Sequence, residues 1–160
     1  MQNLIKGFLE RLGNASTTTG GMTQKDLHIA AALLLIEVGH ADSEWTREET
    51  ETIIERITAL FGLDAAEARE LFAEARHLDQ QHVSLHPTLK TINSHFDAEQ
   101  KAAILTDCWR VAYADGVLDH YEEHQIRRIA ELLYLPHSTF IQAKLQAQEE
   151  MQRARQDQNV

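Results

Sequence analysis

The residues best equipped for chemistry lie close together in the stretch Tyr113–Ile126, YADGVLDHYEEHQI. His120 and His124 are four apart, so both imidazoles can share one face of a helix, with Glu123 beside them as a candidate base. This is the H-x-x-E-H arrangement of one group of zinc-dependent hydrolases. A catalytic zinc also needs a third protein ligand and a cleft for substrate. A chain of 160 residues is small for such an enzyme, and His120 falls at the solvated start of its helix. The same stretch also resembles a calcium loop. Asp115, Gly116, Leu118, Asp119 and Glu122 stand where positions 5, 6, 8, 9 and 12 of an EF-hand would be. Positions 1 and 3 would be Val111 and Tyr113, whose side chains cannot ligate calcium. Only the acidic half of such a site is present.

A third reading needs no ligand. Asp119 followed by Glu122 is a capping box, in which the acid at the third helical position answers an amide at the cap and offsets the helix dipole. Capping accounts for Asp119 and Glu122 but leaves Asp115 over. A carboxylate at the end of the preceding helix faces the negative end of that dipole, a cost that a nearby cation would relieve. A plain turn role for the aspartate is the alternative. Such oxygen donors suit calcium or manganese better than zinc.

The stretch has a counterpart. His40–Ile53, HADSEWTREETETI, aligns on it without gaps, pairing Asp42 with Asp115, Glu49 with Glu122 and Ile53 with Ile126. The candidate metal ligands are therefore Asp115, Asp119 and Glu122, with Asp42 and Glu49 as weaker counterparts. The first copy has Ser43 in place of Gly116 and Trp45 in place of Leu118. His77, His82 and His86 with Asp79 form a further polar group, but their spacing matches no structural zinc pattern and suits solvated loop residues. Cys108 is the single cysteine. It excludes an internal disulfide and, set beside Trp109 in an apolar helix, reads as a buried inert thiol. No glycine-rich phosphate loop and no nucleophile elbow occur, so no catalytic or cofactor-binding residue is assigned.

The elements that must hold these residues are helical. Apolar side chains recur at helical spacing nearly throughout, and only two prolines and seven glycines interrupt them. Helices are expected from Thr23 to about Gly39, from Thr46 to Gly62, from Asp64 to about His77, from His86-Pro87, after Asp97, after Asp119 and after Pro136. Thr46–Glu49, Asp64–Glu67 and Asp97–Gln100 are capping boxes like Asp119–Glu122. The domain is expected to span residues 23–150. Ahead of it, residues 1–22 carry a short amphipathic helix (Leu4, Ile5, Phe8, Leu9 and Leu12) and a flexible linker; after it, 151–160 is a polar tail. The amphipathic helix suits docking on the domain core, on a protein partner or at a bilayer surface. The most apolar run, Ile29–Gly39, is too short to span a bilayer and reads as a core helix. A formal net charge of −10 with no basic cluster argues against nucleic acid and suits cations or basic partners.

The repeat and its motif, Ala114-Asp115-Gly116 with Leu118, Glu122 and Ile126, resemble the TerB-like family of bacterial tellurite-resistance proteins and the N-terminal domain of the DjlA-type membrane J-proteins. The match covers about Thr23 to Ala147. The resemblance implies an all-α bundle of about seven helices in two pseudo-symmetric halves. It implies a cytoplasmic protein linked to tellurite or metal-ion stress; with no catalytic residue assigned, the chain is expected to be a non-enzymatic module, cytoplasmic or peripheral to the inner membrane. It implies a partner of the TerC membrane-protein type, and a cation site in the acidic turns.

Overall fold

The structure is a computed structural model that describes residues 24–39, 47–81, 85–114 and 120–158. Seven α-helices lie among the described residues: α1 (Gln24–Gly39), α2 (Arg47–Phe61), α3 (Ala65–Gln80), α4 (Leu85–His95), α5 (Ala98–Ala112), α6 (His120–Leu132) and α7 (His137–Gln158). No strand occurs among them. The expected amphipathic segment Leu4–Leu12, the linker, the caps Thr23, Thr46 and Asp119, and His82 lie outside the described residues.

α1 is apolar on every side, and so it takes the centre of the bundle. From Ile29 to Ile36 each of its residues is buried, and it packs on α2, α3, α4, α5 and α6. The other helices present one stripe each: Ile53, Ile54 and Ile57 on α2, Ile126 and Ile129 on α6. Trp109 of α5 is wholly buried, with its ring 5.2 Å from that of Phe140 on α7.

The contact pattern carries the internal repeat into three dimensions. If α1, α2 and α3 are matched to α5, α6 and α7, each packing pair has its counterpart. α1 on α3 corresponds to α5 on α7, and α2 on α5 corresponds to α6 on α1. The α1–α5 pair is its own counterpart, as a pseudo-two-fold requires, and α4 bridges the halves. Both second helices also end alike. Gly62 (φ 63°), one residue past α2, and Tyr134 (φ 58°), two residues past α6, adopt the left-handed conformation. Leu63 N then donates to Thr58 O at 3.3 Å and Leu135 N to Ala130 O at 3.0 Å. This is the Schellman geometry that satisfies the last carbonyls of a helix. The gap-free register of the joints is one residue longer than the register of these two stops, so α6 has lost one residue relative to α2.

Helix limits follow the sequence signals, with two extensions. Asp97 caps α5 with a complete capping box, accepting from Gln100 N at 2.8 Å while its own amide donates to the Gln100 side chain at 2.9 Å. Asp64 accepts from Glu67 N at the start of α3. α3 runs past His77 to Gln80, because Leu78 is buried and draws another turn onto the core. α7 continues through the polar tail to Gln158. Strong helix formers fill that tail, and Met151 still packs against the core.

Candidate functional site

Two of the five candidate ligands fall among the described residues. Glu49 and Glu122 each sit in the first turn of the helix that follows a joint, and each is only 2% exposed. Asp42, Asp115 and Asp119 lie outside the described residues. Burying a carboxylate costs several kcal/mol unless polar groups or a cation receive it. A helix N-terminus meets part of that cost through its dipole and amides. Neither glutamate is without an interaction partner.

Charged and aromatic side chains meet where α5, α6 and α7 pack together. Glu123 accepts from Lys144 of α7 at 2.9 Å. The ammonium hydrogen bond holds the Glu123 carboxyl below the usual carboxylate range. The same ammonium stands 5.4 Å from the centroid of the Trp109 ring, a cation–π distance. Tyr113 closes α5 with its amide on Trp109 O at 3.0 Å; burial pushes its phenol up. On α6, Gln125 Nε2 donates to Glu37 Oε1 of α1 at 3.2 Å. This bond ties the last turn before the first joint to the turn just after the second.

In the zinc reading, His120 and His124 would ligate and Glu123 would serve as base. Glu123, its required base, is committed to the ion pair with Lys144, and no group of three His, Cys, Asp or Glu side chains among the described residues is placed to hold a metal. His77 is exposed at the end of α3 and His86 exposed at the start of α4. His95 closes α4 with Nδ1 3.0 Å from Thr91 O. Cys108 is fully buried, and burial together with Asp107 pushes its thiol far above the ordinary range.

One polar cluster was not legible as a site. Asp107 of α5 is 1% exposed, and its Oδ1 accepts from Arg56 Nε of α2 and Arg110 NH1, both at 2.6 Å. Arg110 also grips Glu150 of α7 through Nε and NH2, each at 2.8 Å, and so holds the Glu150 carboxyl low. This bidentate chain pins three helices together. The only sequence signal was an acid and a base three apart on α5. Their partners are 51 and 40 positions away.

No described helix is long and apolar enough to cross a membrane. No curated protein and no solved structure shows a match to the chain. The family model for tellurite resistance protein TerB matches residues 28–145, from the first turns of α1 to the middle of α7 and across both joints. With both halves of the helical repeat inside the match, the chain belongs to the TerB tellurite-resistance family.

Proposed function

We propose that this TerB-family chain is a non-enzymatic module that binds a divalent cation at its second acidic joint, through Asp115, Asp119 and Glu122. Asp42 and Glu49 are the weaker counterpart. The observation that carries the reading is the recurrence of one buried glutamate at the same helical position after each joint, Glu49 and Glu122. Hard oxygen donors of this kind favour calcium or manganese. Such an ion would clamp the end of α5 to the start of α6, and the Gln125–Glu37 bond would pass that stiffening to α1. A cytoplasmic place, a role in metal-ion or tellurite stress and a TerC-type membrane partner belong to the same proposal, which family membership motivates.

Melting curves with calcium and with manganese test it. A ligand at a hundredfold excess over its Kd adds about 2.7 kcal/mol to stability. The parent's melting temperature should rise by several degrees, and that of an Asp115→Ala, Glu122→Ala double variant should not. A parent indifferent to both ions would rule the reading out.

A second reading, a protein-interaction module without metal, is favoured by exposed apolar groups. Tyr121 is 71% exposed on α6, and Ile141 and Leu145, one turn apart on α7, are both exposed. Under that reading Glu49 and Glu122 act as caps only, and neither ion shifts the melt.

A further inference from the structure

α7 carries two stripes, and the core takes only one of them. Phe140, Ala143 and Ala147 are buried, and Met151 is the last residue of the helix to pack on the core. At 3.6 residues per turn, Ser138, Ile141, Leu145, Gln148 and Gln152 share a second face, turned away from that stripe. Ile141 is 39% exposed and Leu145 51%. Ser138 and Gln152 are exposed and Gln148 partly so.

The outer stripe alternates spacings of three and four, which is the a/d seam of a coiled coil. None of its residues is charged, in a chain where 25% are. Arg155, the next position of the pattern, ends the seam. Every residue from Gln152 to Gln158 is exposed, so α7 runs about two turns past its last core contact. A helical stretch without a packed face is marginal in water. The family match stops at residue 145, so Gln148 and Gln152 carry the seam beyond the family domain.

The edges of the seam identify what covers it. The g edge holds His137, Lys144 and Met151, and the e edge holds Gln142 and Glu149. In a parallel pair of like helices the g edge of one meets the e edge of the other. Lys144 then stands beside the partner's Glu149, and the two-fold repeats the pair. An antiparallel pair would set the edge with His137 and Lys144 against itself. The Lys144 side chain is 27% exposed although it binds Glu123, so its ammonium has room for a second carboxylate. The face is complementary to itself, as a two-fold dimer requires.

We infer that two copies of the chain pair through α7, parallel, along Ser138–Gln152, with Lys144 and Glu149 joining the edges. The inference rests on the exposed α7 groups of the interaction reading, but not on its premise that no metal binds.

Sedimentation of the full chain up to about 1 mM tests it, because a seam this short belongs to the weak class of interfaces. The parent should dimerise as concentration rises. An Ile141→Glu, Leu145→Glu variant should stay monomeric with unchanged helicity. Glu149→Lys, which sets like charges together at both edges, should raise the dimer Kd about tenfold. Ser138→Cys and Gln152→Cys, at opposite ends of the seam, should each oxidise to a covalent dimer, and Arg153→Cys, off the seam, should not. Cys108 is buried and takes no part. A parent monomeric throughout would overturn the inference. So would a dimer that survives the double substitution or ignores Glu149→Lys, or one in which the two seam cysteines cross-link no faster than Arg153→Cys. Melting shifts with calcium or manganese would reject the metal-free reading and leave the dimer standing. A monomeric parent with no such shift would reject the dimer alone.

Discussion

Tyr134 does at the end of α6 what Gly62 does at the end of α2, in nearly the same backbone conformation. A non-glycine residue in the left-handed region carries about 1–2 kcal/mol of strain, and glycine carries none. Tyr134 is 82% exposed and contributes little packing in return. Tyr134→Gly should therefore stabilise the protein by about 0.5–1 kcal/mol, after the extra unfolded-state freedom of glycine is set against the relief. Gly62→Ala meets nothing within 4 Å, so its loss of about 1 kcal/mol is pure backbone strain. Urea unfolding of both variants checks the pair, and equal signs would contradict this account of the two stops. Glu123 adds a pH signature. Its carboxyl is held low by Lys144, so the pair stabilises the folded state above about pH 4.3, the ordinary glutamate value. That contribution disappears as pH falls through the lower folded value. The melting-temperature gap between parent and Glu123→Gln should be open near neutrality and closed near pH 2; a gap that ignores pH would contradict the pairing.

At the scale of elements, much was readable because the signals are local. Capping boxes, a stop glycine and an apolar stripe each involve residues within a turn or two, so α5's start at Asp97 and α2's stop at Gly62 follow from neighbouring letters. What joins the elements was not readable. Asp107 looked like any polar residue of an amphipathic helix, yet it is buried between Arg56 and Arg110. The end of α7, expected as a loose tail, is helical to Gln158, and Glu150 there is gripped by Arg110. Removing the charge at Asp107 leaves two guanidiniums facing a site without its anion. Asp107→Asn should cost about 2–3 kcal/mol, near the lower end for a broken buried pair because both arginines keep some access to water. Lys25→Met, which breaks the exposed Lys25–Glu74 bridge at 3.1 Å, should cost under about 1 kcal/mol. Comparable losses in denaturant melts would contradict the account of Asp107 as the pin of α2, α5 and α7.

The whole molecule is a doubled helical unit, and the doubling is what made the fold legible and what singled out the candidate site. Two matched motifs placed the joints, and the matched packing of α1–α3 and α5–α7 carries the same relation through the core. The chemistry was less legible. The sequence offered five acids, and burial of Glu49 and Glu122 depends on which helices cover the first turns of α2 and α6, a matter decided by partners distant in the chain. Their equal burial supports a cation at the joint, and paramagnetic manganese reads its position directly. At substoichiometric manganese, amide signals at the start of α6, Glu122 and Glu123 foremost, should broaden before any others, and Asp115→Ala, Glu122→Ala should abolish the effect. Even broadening over the acidic surface, or none at α6, would contradict a cation site at the second joint.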